Sequence, residues 1–469
     1  MTVAAQQTLR PPAVAGTFYP ADAAALDRFV GDALAPCPAL PSRPLAVIAP
    51  HAGLRYSGRL AARALAAARG WIGPRVVVLS PAHRHAFDGI ALPSQDGFAL
   101  PGGVVAVDRA ARADLLGVGL ARTLDAAHDR EHGIEVLLPF LRQLAPQAQI
   151  VPLVIGRASP AEVAAVIDRL AGQPGAEPLF VLSSDLSHFL PLGEAQAMDA
   201  GTARMIETGQ ASALTPSHAC GSKAVAGFLI SEAGLGARLL RLGMANSHAV
   251  SGDAARTVGY GAWAIAPGTA ALLDESARGV LLAVARQALE ARLRRGRTPK
   301  VRRDSFPPEL QTHMASFVTL KRQGRLRGCI GSIGAHRSLI ADVVENAVRA
   351  GLADRRFPPL AADELASTEI SLALLSPARP MHFASQADLE RQLVPGRDGL
   401  VLTEGDRRGV FLPMVWDALP GPGAFLNGLK VKAGLPETHW SKHLRVARFH
   451  AEAVTAAGGD GPREAAATP

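Results

Sequence analysis

Pro44-Leu-Ala-Val-Ile-Ala-Pro-His51-Ala-Gly53 is an apolar run that stops abruptly on a histidine and a glycine. A short Val/Ile/Leu/Ala run between turn-formers is what a parallel strand covered on both faces looks like, because neither face meets water. His51 then lies just past the carboxyl end of a buried strand. The phrase recurs: Arg75-Val-Val-Val-Leu79 leads into Ser80-Pro-Ala-His83, and Pro178-Leu-Phe-Val-Leu182 leads into Ser183-Ser-Asp185-Leu-Ser-His188. In open α/β sheets ligands bind beyond the carboxyl ends of the strands, so strands sharing one sheet and one direction would bring these imidazoles to one rim.

Around that pattern the chain is long, 469 residues, and a prior of roughly 150 residues per domain leads us to expect two domains. With 48% hydrophobic and 19% charged residues the composition is globular, and disorder is expected only at the ends. The net charge of +8 comes largely from arginine and is weak evidence for nucleic acid. The dense basic run Arg292–Arg303 has no aromatic residue for base stacking and reads as a solvated helix end and loop. No segment is apolar for 18 residues or more, and Met1-Thr-Val-Ala-Ala-Gln-Gln lacks a basic start followed by an apolar region. A soluble, cytoplasmic protein with no membrane contact is the expectation. Cys37, Cys220 and Cys329 are odd in number and widely spaced, which fits a reducing compartment.

Taken in order, Leu26, Phe29, Val30 and Leu34 define one face of a helix whose first turn Asp22 supports. An alanine-rich helix from Ser57 joins the first strand to the second, the strand–helix–strand unit of a doubly wound sheet. Ile134, Leu137, Leu138 and Leu141 trace a stripe within 125–144, with His132 and Glu135 on a neighbouring face in a structural or supporting role. Strands at 149–155, 237–244 and 258–266 and helices at 161–170 and 195–208 complete an α/β half. After Ala266-Pro-Gly-Thr the pattern becomes α+β: helices at 281–293, 339–352 and 386–393 and strands at 315–320, 326–330, 369–375 and 399–403. The tail 456–469 is small and polar, hence expected to be disordered.

If His51, His83 and an anionic third ligand meet at the rim, two imidazoles plus one anion with open positions is an arrangement suited to non-haem iron. Asp185 is the hard candidate for the third ligand. Cys220 is the soft one, its thiolate favoured by the following helix start, and sulfur would shift preference toward Cu(I) or Zn as well as iron. Asp185 and His188 could form an acid–base pair, or Asp185 could cap an ordinary turn. His85 and His128 read as exposed neighbours. Ser183-Ser184 lacks a nucleophile-elbow pattern, which disfavours a serine hydrolase. Cys220 with a histidine would also suit a thiol nucleophile. In the second half, Cys329 lies between two glycines on a strand with Arg327 on the same face, where an adjacent guanidinium would lower the thiol pKa, although a buried structural cysteine is the plainer reading.

Together these motifs resemble two families fused in one chain. Ala15-Gly-Thr-Phe-Tyr-Pro20, Pro50-His-Ala-Gly53, Tyr56-Ser-Gly58, Ser80-Pro-Ala-His83, Glu131-His-Gly-Ile-Glu135, Ser183-Ser-Asp-Leu-Ser-His188 and Ala219-Cys-Gly221 resemble the Memo family (AmmeMemoRadiSam system protein B) over 8–267. Phe317-Val-Thr-Leu320, Leu326-Arg-Gly-Cys-Ile-Gly331, Arg356-Phe-Pro-Pro-Leu360, Glu369-Ile-Ser371 and Gly409-Val-Phe-Leu-Pro413 resemble the AMMECR family (system protein A) over 270–455.

The first resemblance implies the fold of class III extradiol dioxygenases and a metal site corresponding to His51, His83 and Cys220, with Asp185 and His188 matching further pocket residues. Those dioxygenases carry glutamate where this family has cysteine, so catechol cleavage does not carry over. It also implies iron or copper, zinc ranking behind them, and a radical S-adenosylmethionine protein as partner. The second resemblance implies a functional surface at Arg327 and Cys329 but no reaction. The expectation is a metal-binding redox protein, dioxygenase-like, acting on an unidentified small molecule, with His188 moving a proton and Asp185 orienting it. Two readings stand beside it: a metal chaperone or adaptor without turnover, and a metal-independent enzyme with Cys220 as nucleophile.

Overall fold

The computed structural model describes residues 8–456, apart from 174 and 176. The tail expected to be disordered, 456–469, lies outside the described residues except for residue 456. The chain divides into two compact units, one comprising the chain through Leu235 with Leu239–Ala266, the other Gly236–Arg238 with the chain from Pro267 on.

In the first unit the strand Ala46–Ala49 pairs in parallel with Leu179–Ser183, which pairs in parallel with Arg75–Pro81, which pairs in parallel with Gln149–Ile155. Every residue of Ala46–Ala49 and Leu179–Ser183 is buried, which is why these stretches are unbroken apolar runs and not alternations. Ala49 lies opposite Ser183 and Leu79 opposite Leu182, so the three carboxyl ends are level. The sheet has eight strands and is mixed: Gly259–Ala266 runs antiparallel to Ala46–Ala49 on one side, and Ile90–Leu92 antiparallel to Gln149–Ile155 on the other. Helix Ala23–Leu34 starts where Asp22 accepts from the Ala25 amide at 2.8 Å, and it buries Leu26, Val30 and Leu34.

The stripe at 125–144 does not make one helix. It is broken into 3-10 turns at Asp125–Ala127 and Glu135–Leu137 and an α-helix confined to Leu138–Leu144. Pro139 is the reason: without an amide hydrogen, and with a ring that clashes with a preceding turn, it is tolerated only in the first turn of a helix. The interruption leaves Glu131, His132 and Gly133 in a loop.

The second unit is α+β. Its first sheet is antiparallel, in the order Arg325–Gly331, Ala315–Arg322, Thr368–Leu375, Ala451–Val454, and the helices Glu275–Arg295 and Leu339–Leu352 pack with it. Gly328 is required there, since a Cβ would sit 2.1 Å from the Ala350 carbonyl oxygen of the covering helix. A second antiparallel sheet runs Arg379–Pro380, Arg445–Phe449, Gly399–Glu404, Arg407–Phe411. Its core includes Trp416 stacked on Phe425 at 3.8 Å between centroids.

Candidate metal centre

Each of three neighbouring parallel strands delivers a polar residue two positions past its end: His51 after Ala49, His83 after Pro81, Asp185 after Ser183. Because the ends are level, the side chains converge. The His51 and His83 ring centroids are 5.0 Å apart. Cys220 arrives from the turn before helix Ser222–Ile230, held by its amide donating to the Asp185 carbonyl at 3.2 Å. One donor atom from each of His51, His83 and Cys220 lies within 4.8 Å of the other two.

Hydrogen bonding decides which atoms face inward. The Ser183 hydroxyl donates its single proton to the Gly133 carbonyl, so toward His51 Nδ1, 2.6 Å away, it can only accept. The His51 proton therefore sits on Nδ1, and Nε2 presents a lone pair 3.4 Å from Cys220 Sγ. His83 is set the same way: Nδ1 donates to Glu131 Oε1 at 2.7 Å while its amide donates to Oε2 at 2.7 Å, leaving Nε2 free. Cys220 Sγ accepts the Asp185 amide at 3.2 Å.

Electrostatics keep the imidazole neutral. Burial, then the neighbouring His83, pushes the His51 pKa down to about 3. Burial, then the Asp185 charge, pushes the Cys220 thiol up to about 12. The expectation that a helix start would favour the thiolate is thus reversed by desolvation, and Cys220 is anionic only when a cation compensates it. Burial raises Glu131, but the His83 ring, its amide and the Gly133 amide outweigh it and hold that carboxyl at about 2.

Asp185 and Cys220 were both candidates for the third position, and they occupy different roles. The Asp185 carboxylate accepts the His51 amide at 2.8 Å, fixing the loop that carries the histidine, and it is in neither of the described clusters of ligand-type atoms. Burial lifts its pKa to about 6. His188 is exposed and makes no hydrogen bond to Asp185 among the described residues, although its charge bears on both Asp185 and His51.

His128, read as an exposed neighbour, is 1% exposed: its Nε2 faces the Ala91 carbonyl at 3.2 Å and its own carbonyl accepts from Arg10 Nε at 2.7 Å. Glu135 turns away from the histidines. It is fully buried, paired with Arg10 and the Tyr19 hydroxyl, and accepts the Ala13 and Val14 amides at 2.8 and 3.0 Å, which ties down the Ala15-Gly-Thr-Phe-Tyr-Pro20 segment. His132, in contrast, packs 5.4 Å from the His51 ring and 4.5 Å from His83, and with His83 and Glu131 it forms a second cluster of ligand-type atoms.

In the second unit Arg327 does not serve Cys329. Its guanidinium is taken by Glu364 at 2.8 and 3.1 Å, while Cys329 receives a hydrogen bond from the Thr319 hydroxyl at 3.4 Å and its carbonyl meets Arg356 at 3.3 Å.

An α/β sheet with two imidazoles and a cysteine gathered at its carboxyl rim, followed by an α+β domain, is the class of protein these features define. The comparisons give it a family. The model described as Memo-like protein matches residues 10–264, and that described as AMMECR1 matches 282–454. The chain is a member of the Memo-like protein family, fused to an AMMECR1 domain. It is 32% identical to MEMO1 family protein MTH_45 of Methanothermobacter thermautotrophicus over 54% of this chain and 98% of that one. It is 37% identical to a MEMO1 family protein of Aquifex aeolicus over 41% and 72% respectively. A crystal structure of protein PH0010 from Pyrococcus horikoshii is 31% identical over 39% of this chain and 92% of its own, with a TM-score of 0.37. Among the described residues no helix is long and apolar enough to cross a membrane.

Proposed function

We propose that the Memo-like half holds one iron or copper ion through His51 Nε2, His83 Nε2 and Cys220 Sγ and uses it in an oxygen-dependent redox step on a small oxygen-bearing molecule. The observation that carries the reading is the Gly133–Ser183–His51 relay, which aims a bare Nε2 at a thiol 3.4 Å away. Metal–nitrogen bonds of about 2.0–2.1 Å and metal–sulfur bonds of about 2.3 Å put tetrahedrally arranged donors roughly 3.4–3.6 Å apart, the separation His51 Nε2 and Cys220 Sγ already have, with the His83 donor within 4.8 Å of both. Bound there, such an ion would supply Lewis-acid or one-electron chemistry at the positions the three side chains leave open.

The chain's own residues do the rest. Ser183 and Glu131 each take the Nδ1 side of an imidazole and turn its Nε2 toward the site. Asp185 holds the His51 backbone. His188, exposed at the rim, is the group able to exchange protons with solvent and a bound molecule. A radical S-adenosylmethionine protein is the partner proposed from the family resemblance. The thiol-nucleophile reading is weakened by the raised Cys220 pKa, whereas a soft sulfur beside an imidazole keeps a copper carrier as the rival.

Substitution with Co(II) tests the ligand set. A thiolate-to-metal charge-transfer band that disappears in Cys220→Ser and persists in Asp185→Asn is the expected result; a band that survives in Cys220→Ser overturns it. Aerobic turnover with Fe(II) supports the enzyme, and tight Cu(I) binding without turnover supports the carrier.

A further inference from the structure

The AMMECR1 half contains a cavity of about 920 Å³ over the sheet formed by Arg379–Pro380, Arg445–Phe449, Gly399–Glu404 and Arg407–Phe411. Strand register places three of its lining residues in a single cross-strand row: Thr403 lies opposite Arg408 on one side and opposite Arg445 on the other. Directly opposed residues project from the same face of a sheet, so two guanidinium groups flank one hydroxyl, and Lys442 adds a third cation to the lining.

Among the described residues no aspartate or glutamate lines the cavity, and Arg408, Lys442 and Arg445 are exposed to solvent. Arg445 donates only to the carbonyls of Lys442 and Leu444, at 2.9 and 3.2 Å, and the Arg408 and Lys442 side chains have no partner among the described residues. Glu404, next to Thr403 in the chain, is already occupied by His439 and Ser441. An anion seated over Thr403 meets one guanidinium from each neighbouring strand.

The lining is also aromatic. Trp440 and Phe383 rings lie 5.6 Å apart. Trp440 is backed by the buried Lys430 ammonium, 5.9 Å from its ring, and Lys430 is itself anchored to Gln386 and the Glu437 carbonyl at 2.7 and 2.8 Å. The wall is therefore pre-positioned, with an indole N–H that has no partner among the described residues. The volume falls within the roughly 300–1,000 Å³ of small-molecule sites.

We propose that this cavity binds a planar small-molecule anion, its ring system against Trp440 and Phe383 and its carboxylate or phosphate between Arg408 and Arg445. The test uses the full chain and 8-anilinonaphthalene-1-sulfonate, a planar anion, beside its neutral counterpart N-phenyl-1-naphthylamine. One saturable site for the anion is expected, weakened at least tenfold in Arg408→Glu and in Arg445→Glu at unchanged circular dichroism, and in Trp440→Ala. The neutral probe should not respond to the charge reversals. Displacement by AMP assigns the phosphate source, and displacement by naphthalene-2-carboxylate assigns the carboxylate source. Undiminished binding in both charge-reversed variants, or displacement by neither competitor, overturns the proposal, as does binding of a single-stranded oligonucleotide a hundredfold tighter than AMP, which would make the groove a nucleic-acid track.

Discussion

Glu131 grips His83 twice, through the ring Nδ1–H and through the backbone amide, each at 2.7 Å. One carboxylate thus sets both the tautomer of the imidazole and the path of the loop that carries it. Glu131→Gln keeps the size but sets an NH2 donor against one of the N–H donors that both carboxylate oxygens now accept, so metal affinity should fall by about 10–100-fold and the unfolding midpoint should fall with it. Competition titration against a chromophoric chelator, paired with a melt, measures both. An affinity equal to that of the wild type would mean that His83 is oriented by something else.

The Arg10–Glu135 pair is buried on both sides, at 1% and 0% exposure. Removing one partner of such a pair leaves the other charged and unsatisfied, at a cost of about 3–5 kcal/mol. Glu135→Ala should lose that much in denaturant unfolding and expose the segment at 13–19 to proteolysis. Loss of under 1 kcal/mol would contradict the anchoring role.

Gly221 follows Cys220 at a crowded point: a Cβ there would come within 2.4 Å of the Ser183 carbonyl oxygen and 2.6 Å of Ser184 Cβ. Gly221→Ala forces the cysteine turn away from the sheet. We expect a destabilisation of about 1–3 kcal/mol together with reduced metal content, measured by denaturant titration and elemental analysis. A variant with full metal content would show that the turn has slack.

In the AMMECR1 half the Asp354 carboxylate, 7% exposed, accepts the Cys329 amide at 2.9 Å and pairs with Arg356 at 2.7 Å. The Arg356 side chain, outweighing burial, holds its pKa down at about 2, below the ordinary value of 3.8. A carboxyl whose folded pKa is lowered adds stability that is fully present above its unfolded pKa and is lost as the pH falls through its folded one. Unfolding midpoints should therefore drop between about pH 4 and pH 2, and Asp354→Asn should be less stable at pH 6 with a shallower acid limb. An identical acid limb in the variant would remove Asp354 from the account.

Much of the first domain was legible because its central strands are covered on both faces: Ala46–Ala49, Arg75–Pro81 and Leu179–Ser183 stand out as apolar runs that stop at polar residues. Helix Leu339–Leu352 was equally plain, since its apolar residues keep a helical period through fourteen positions. The loop Glu131–Gly133 was not legible. Its residues sit inside a helical stripe, and only Pro139, eight residues on from Glu131, signals that the helix starts late. Orientation was also hidden: nothing in the spacing of Glu131 and Glu135 says that one faces the histidines and the other Arg10. Helix Pro422–Lys432 and strands Arg407–Phe411 and Arg445–Phe449 were missed, because charged residues on half-solvated edges dilute the period and the second domain's cavity depends on their pairing.

The central claim is that His51 and Cys220 belong to one coordination sphere. Elemental analysis of anaerobically purified protein, beside His51→Ala and Cys220→Ser, tests it most directly. The account predicts about one iron or copper per chain in the parent and loss of most of it in each variant, with circular dichroism unchanged. Metal content unaltered by both substitutions would contradict it.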